Sequence, residues 1–340
     1  MSWASIPVLI NFTLADPYLE EIRAVSPRVE VMRAYESVAE ETRARGNQES
    51  MVEERALKEM VRRAEVLTSF RFPIEWLDEA PNLKWVQLAS AGSDHMQREG
   101  IFEKRPDLLL TTASGVHETP ISEHIAAMIL HFSRGLNIAV RNQPMHKWER
   151  YRADEAAGRT VCFVGYGPIA RRAAQICKSL GMRVLAVRAS IAEQQPGFEA
   201  VERFYPPAEL NEVLAESDYV VVAAPRTPQT ERMISTEQFE AIKEGAVLIN
   251  ISRGALVDEP ALVEALRNGR LKGAGLDVFA PEPLPEASPL WDMPNVLITP
   301  HVSGSNPHYD RRVTDLFCDN LRRYLQGDPL RNLVIRERGY

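Results

Sequence analysis

Three short stretches late in the 340-residue chain carry side chains suited to proton and anion chemistry, and each follows an apolar run. Ile251-Ser252-Arg253-Gly254 ends one such run. Asp277 ends another, with Glu282 beyond it in Ala280-Pro281-Glu282-Pro283-Leu284. His301 follows a third, in Thr299-Pro300-His301-Val302-Ser303-Gly304. An imidazole gains and loses a proton near neutral pH, and a neighbouring carboxylate favours its charged form. A guanidinium grips a carboxylate or polarises a carbonyl through two parallel donors. His301, Glu282 and Arg253 together therefore suit proton delivery to the carbonyl oxygen of an acid such as a 2-oxo acid, once a hydride reaches the carbon. Taken singly, each has a plainer explanation: a His after a strand is more often structural, an Arg before Gly is often solvated, and Glu-Pro is a common loop pair. Their weight comes from standing behind one nucleotide fingerprint.

That fingerprint occupies residues 159–190. Residues 160–164 read as a buried strand, Gly165-Tyr166-Gly167-Pro168-Ile169-Ala170 as a glycine turn, and 183–187 as a second strand. Between them Ile169, Ala170, Ala173, Ala174, Cys177 and Leu180 recur at helical spacing, closed by Gly181. This strand–turn–helix–strand order is the setting that dinucleotide binding requires. Gly165 permits the tight turn, Gly167 lets the backbone approach a pyrophosphate, and Ala170 is small enough for close helix packing. The helix start at Pro168 and Ile169 faces the phosphates. NAD-binding chains place an acid roughly 20 residues after the first Gly, against the ribose 2′-hydroxyl. Here the second strand ends in Arg188, Ala189 and Ser190. A guanidinium and a hydroxyl suit a 2′-phosphate, so NADP(H) is the expected cofactor and NAD(H) the alternative. Ligands of open α/β sheets bind at the carboxyl ends of strands, which adds Pro225, Ile251 and Asp277 to the expected cofactor site. Asp277 is placed to accept from a nicotinamide carboxamide. The turn at 90–93 offers the N–H groups of Ala91 and Gly92 as a nest for a substrate carboxylate.

The elements that must position these residues alternate along the chain. Strands are expected at 7–12, 28–33, 65–69, 83–89 and 108–112, helices at 49–63 and 72–80, and a turn at Gly46-Asn47 within a polar stretch. A long amphipathic helix spans 120–140; its Glu123, His124 and His131 read as packing residues without chemistry. Residues 143–158 form a polar connector with His146, Trp148 and Tyr151. Past the fingerprint, strands fall at 201–204, 218–224, 246–251, 272–278 and 295–299. Helices fall at 208–216, at 236–242 behind a Ser235/Gln238 capping box, and at 259–268 behind Asp258 with Pro260 in its first turn. A last helix, 307–326, returns to the first domain. The fold class is α/β: two Rossmann-like domains with parallel sheets. A dinucleotide-binding domain, 113–304, is inserted in a substrate domain, 1–112 plus 305–340.

Composition bounds the partners. The chain is 45% hydrophobic and 26% charged with a net charge of −7, and its Lys and Arg are scattered. That disfavours nucleic acid. The three cysteines, Cys162, Cys177 and Cys318, have neither disulfide-framework nor zinc spacing, so no metal is expected. No run approaches 18 apolar residues and the first residues lack a basic leader pattern. A reducing, cytoplasmic setting away from membranes is expected.

SRGALVDE (252–259), GLDVFAPEPLP (275–285) and TPHVSGS (299–305), behind GYGPIA, resemble the D-isomer-specific 2-hydroxyacid dehydrogenase family. APRTPQT (224–230) and SAGSDH (90–95) extend the resemblance over nearly the whole chain. It implies a catalytic triad of Arg253, Glu282 and His301, and two domains with a cleft that closes on ligand. It also implies a homodimer built largely through the nucleotide domain, including the long helix. The nearest flavour is that of the NADPH-using glyoxylate/hydroxypyruvate reductases, where the acidic ribose residue is also replaced. The chain departs from the family pattern at Arg188, at Arg226 where a small apolar residue is common, and at Ser93 where an aliphatic one is usual. Formate dehydrogenase relatives generally lack the Glu, so Glu282 argues against that branch. The competing expectation is a nucleotide-sensing, corepressor-type module with little turnover; the lack of a basic patch disfavours it.

Overall fold

Twelve short strands form two parallel sheets in the computed structural model, which describes residues 4–35, 54–189 and 198–338. The expected Gly46-Asn47 turn, the start of the 49–63 helix and Ser190 lie outside the described residues. The chain divides into two units, one of residues up to Val116 and from Asn306 onward, the other His117–Ser305.

In the first unit β1 (Ile6–Asn11), β2 (Val29–Arg33), β3 (Val66–Ser69), β4 (Trp85–Leu88) and β5 (Leu109–Thr111) lie in the order β2-β1-β3-β4-β5. α1 (Asp16–Arg23), α2 (Glu54–Arg63) and the short α3 (Trp76–Glu79), α4 (Asp94–Arg98) and α5 (Ile101–Lys104) connect them. Every residue of β3 and β4 is buried, as a parallel sheet covered on both faces demands. The last helix, Tyr309–Gln326, belongs to this sheet. Trp85 is fully buried, and its ring stacks on Phe317 and Tyr324 at 5.4 and 5.5 Å between centroids. Each such pair adds about 0.5–1.5 kcal/mol beyond the area it buries. The Trp85 indole N–H donates to Thr111 Oγ1 at 2.9 Å, so burial leaves no unmet donor on the ring. The expected 72–80 helix is confined to α3, beginning at Trp76 and ending before Ala80, which precedes Pro81 and stands at φ −109°, ψ 69°.

In the second unit β6 (Thr160–Val164), β7 (Arg183–Val187) and β8 (Arg203–Tyr205) build outward in one direction. β9 (Tyr219–Val222), β10 (Ala246–Asn250), β11 (Leu271–Leu276) and β12 (Val296–Ile298) build in the other, giving the order β12-β11-β10-β9-β6-β7-β8. The order reverses between β6 and β9, the place where such sheets open a ligand crevice. Its helices are α6 (Glu118–Ser133), α7 (Leu136–Asn142), α8 (Pro168–Ser179), α9 (Leu210–Glu216), α10 (Thr236–Ala241) and α11 (Glu259–Arg267). Ser235 and Gln238 form the capping box of α10, and the Asp258 carboxylate caps α11 by accepting from the Ala261 N–H.

The single helix expected over 120–140 is two, α6 and α7. Gly135 breaks it at φ +64°, and the Tyr151 ring packs so tightly on it that a Cβ would stand 2.7 Å away. The strand expected at 201–204 starts two residues later, as β8, after a 3-10 turn at Phe198–Ala200. No helix among the described residues is long and apolar enough to cross a membrane. The three cysteines are buried and unbridged, and no cluster of metal-ligating side chains occurs among the described residues.

Candidate active site

The loops after β10, β11 and β12 bring the expected triad residues to one edge of the larger sheet. His301 Nδ1 and Glu282 Oε2 share a hydrogen bond of 2.8 Å. The other Glu282 oxygen accepts the Phe279 N–H at 2.9 Å, which anchors the carboxylate before it meets the imidazole. With Glu282 as acceptor, Nδ1 carries a proton, and Nε2 is the nitrogen left to exchange one. The His301 side chain is half exposed.

Arg253 sits on a turn held from within. The Asn250 side chain donates to the Arg253 carbonyl at 3.0 Å and accepts from the Ser252 N–H at 3.1 Å. The Arg253 guanidinium donates to the Ser252 carbonyl at 2.8 Å. Next to it, Gly254 presses on the loop that carries Glu282. A Cβ at 254 would lie 2.0 Å from the Phe279 carbonyl carbon and 2.5 Å from the Ala280 nitrogen. The Arg-Gly pair is thus a packing requirement: no side chain fits between the arginine turn and the glutamate loop.

Asp277 follows β11 directly. It is 0% exposed, and its carboxylate is already engaged by the loop it supports. Oδ1 accepts from the Thr299 hydroxyl at 2.6 Å and the Val302 N–H at 2.9 Å; Oδ2 accepts from the Ser303 N–H at 3.0 Å. The Asp277 carbonyl accepts from the His301 N–H at 2.9 Å. A buried carboxylate needs such donors, and these ones tie Asp277 to the His301 loop.

The fingerprint turn has the shape that a dinucleotide requires. Gly165 lies at φ +94°, and a Cβ there would meet the Ala224 nitrogen and α-carbon at 2.5 Å. The turn after β6 is therefore pressed against the end of β9, at the switch point, beside Pro225. A Cβ at Gly167 would meet only open space at the start of α8, whose first position is Pro168. Ala170 is fully buried and Ile169 partly so. Ile251 is buried at the end of β10. Arg188 follows β7 with its guanidinium 4.9 Å from the Phe198 ring centre. Phe198 rests in turn on Tyr166 and Phe204, so the cation is carried on an aromatic cluster. Arg226 pairs with Glu231 at 2.9 Å. These features fit a nicotinamide dinucleotide, with Gly165, Gly167, Ile169 and Arg188 as the residues that would hold it.

In the first unit, the turn after β4 is pinned from three sides. The Ser90 hydroxyl donates to the Gly92 carbonyl at 2.7 Å, the Tyr309 hydroxyl to the Ala89 carbonyl at 2.6 Å, and the Ala113 N–H to the Ser90 carbonyl at 2.9 Å. The Ala91 and Gly92 N–H groups donate to no acceptor among the described residues. Ser93, buried, accepts from the Gln97 amide at 2.7 Å. Asn250, Thr299 and His124 are the site-bordering residues that the sequence did not single out; their signal was position, at or facing strand ends, and not residue type.

Residues 126–303 match the D-isomer specific 2-hydroxyacid dehydrogenase, NAD binding domain family. The hydroxypyruvate reductase of Blautia hydrogenotrophica is 30% identical over 268 residues, 76% of this chain and 80% of that protein. The D-3-phosphoglycerate dehydrogenase of Archaeoglobus fulgidus is 31% identical over 76% of this chain, which spans about half (49%) of that longer protein. The NADPH-dependent glyoxylate/hydroxypyruvate reductase of Sinorhizobium meliloti, solved with NADP and sulfate, superposes with a TM-score of 0.79 at 27% identity, covering 99% of this chain and 100% of that one. With the fingerprint and the strand-end residues described above, these matches show that the chain belongs to the D-isomer-specific 2-hydroxyacid dehydrogenase family.

Proposed function

We propose that the protein is an NADPH-dependent reductase of small 2-oxo acids of the glyoxylate/hydroxypyruvate type, yielding the D-2-hydroxy acid, with His301 as general acid. The observation that carries this reading is the 2.8 Å bond between His301 Nδ1 and Glu282, which leaves Nε2 to deliver a proton. When bound, the nicotinamide supplies the hydride. Arg253 holds the substrate carboxylate or polarises its carbonyl, and Glu282 holds His301 Nδ1 and so orients the ring. The Ala91 and Gly92 N–H groups suit an anion such as a carboxylate. His117–Ser305 acts as the dinucleotide-binding domain and the remainder as the substrate domain.

NADPH preference rests on Arg188. It stands where an acid would bind the ribose 2′-hydroxyl, and its stacking on Phe198 holds the guanidinium ready for a 2′-phosphate. The homologous Sinorhizobium reductase carries the same preference in its name. A homodimer is part of the same reading: Leu136, Val140, Met145 and Trp148 are exposed on α7 and the connector after it, Trp148 at 93%, and a second copy would cover this apolar stretch.

The test is oxidation of NADPH and of NADH with glyoxylate, hydroxypyruvate, pyruvate and a bulkier 2-oxo acid. NADPH is expected to be preferred, and Arg188→Asp to reverse the preference. NADH preference in the natural chain would remove the Arg188 assignment and leave the reductase. Cofactor binding without turnover of any acid would favour a nucleotide-sensing module.

A further inference from the structure

α6 lies on β11 with matched repeats. Two glycines remove side chains from the strand. A Cβ at Gly273 would stand 2.6 Å from the Phe132 ring, and one at Gly275 would stand 2.7 Å from the Met128 sulfur. The next residue on that strand face is Asp277, and the next on that helix face is His124. Four helical residues rise about 6.0 Å and two strand residues about 6.6 Å. The pairs 132/273, 128/275 and 124/277 therefore stay in step, and the close approach bought by the glycines carries His124 to the end of the sheet. Across the sheet Gly275 pairs with Leu297 and Leu276 with Ile298, which brings Thr299 beside Asp277.

The hydrogen bonds follow that register. His124 Nε2 lies 3.2 Å from Thr299 Oγ1, which lies 2.6 Å from Asp277 Oδ1. A threonine hydroxyl has one proton. An ionised carboxylate accepts only, so the Thr299 proton goes to Asp277. The Thr299 oxygen must then accept from His124, whose imidazole is fixed as the Nε2–H tautomer. Burial holds the His124 pKa below its ordinary value, against an opposing pull from the Asp277 charge, so a neutral ring suits the site.

We infer that His124 is a positioning residue: through Thr299 it orients the Asp277 carboxylate, which holds the backbone of residues 301–303 and so aims His301 at Glu282. His301 needs such a hold. Its φ is +54°, a left-handed conformation that L-residues seldom adopt. Asp277 engages the N–H groups of His301, Val302 and Ser303 in succession. The inference rests on the proposed role of His301 for its effect on turnover, but not for its effect on geometry.

The test uses the full chain. Thr299→Val keeps the shape and removes the hydroxyl; it is expected to lower kcat about tenfold, as loss of a hydrogen bond to a charged group does, with cofactor affinity unchanged. Thr299→Ser recovers most of that activity. His124→Leu behaves like Thr299→Val, while His124→Gln, which keeps an N–H near the Nε2 position, recovers most of it. The double variant His124→Leu/Thr299→Val is no slower than either single one, because both cut the same chain. Two-bond 1H–15N spectra read the tautomer without turnover, and Nε2–H is expected at His124. The His301 ring signal is expected to move in Thr299→Val. An Nδ1–H tautomer at His124, full activity in Thr299→Val, or an unmoved His301 signal would each overturn the inference. If the natural chain turns over no 2-oxo acid while the His301 signal moves in Thr299→Val, the reductase reading fails and the positioning link stands.

Discussion

The two parallel sheets have the same kind of switch point and fill it in opposite ways. In the smaller sheet the order reverses between β1 and β3. The residues just beyond those strands, Phe12 and Phe70, meet edge to face at 5.5 Å, and Tyr309 stacks on Phe70 at 5.7 Å. In the larger sheet the order reverses between β6 and β9. There Gly165 turns so tightly against the Ala224 backbone that no Cβ fits, and Gly167 faces open space. Topology designates both places for a ligand. Side-chain volume decides which becomes a backbone-lined cradle and which is occupied by rings. In the smaller sheet Tyr309 ties the ring cluster to the turn after β4: its ring packs on Phe70 and its hydroxyl holds Ala89.

Gly165→Ala is the most severe way to break this comparison. It places a methyl 2.5 Å from backbone atoms at φ +94°, adding a left-handed penalty of about 1–2 kcal/mol to a clash that nothing nearby can yield to. A stability loss of about 3 kcal/mol or more is expected in denaturant unfolding, with cofactor affinity weakened beyond what titration of the natural chain shows. Unimpaired binding would mean that the glycine turn is not the cradle. Phe70→Ala tests the other switch point more gently. Phe70 is 44% exposed, and its two ring contacts add about 0.5–1.5 kcal/mol each. A loss of about 1–2 kcal/mol is expected with cofactor affinity unchanged, and an affinity that falls with Phe70 would contradict the division of labour.

The sequence made the architecture legible because both sheets are runs of apolar residues between turn signals, with a glycine fingerprint marking the start of the second. It also made the Glu282–His301 pair legible, since both residues stand just past strands of one sheet. Gly135 is harder to read: a single glycine can sit inside an apolar helical pattern, and the left-handed φ of +64° and the Tyr151 ring against it are visible only in the fold. Asp277 reads from its strand end as a cofactor acceptor; its ties to the Thr299 hydroxyl and to the Val302 and Ser303 N–H groups depend on how the loop folds back and are not visible in the sequence. His124 looked like one more helix residue. Its meaning depends on Gly273, Gly275 and Asp277 facing Phe132, Met128 and His124, a match between two periods that neither segment reveals alone.

The most direct test of the account is the turnover of His301→Ala, measured with NADPH and the best 2-oxo acid beside a cofactor titration of the same variant. Removal of a general acid is expected to lower kcat by about 10²-fold or more, while cofactor affinity stays close to that of the natural chain because His301 lies beyond β12 and not on the Gly165 turn. Turnover equal to that of the natural chain would contradict the assignment of His301 as the proton donor and, with it, the mechanism proposed for this site.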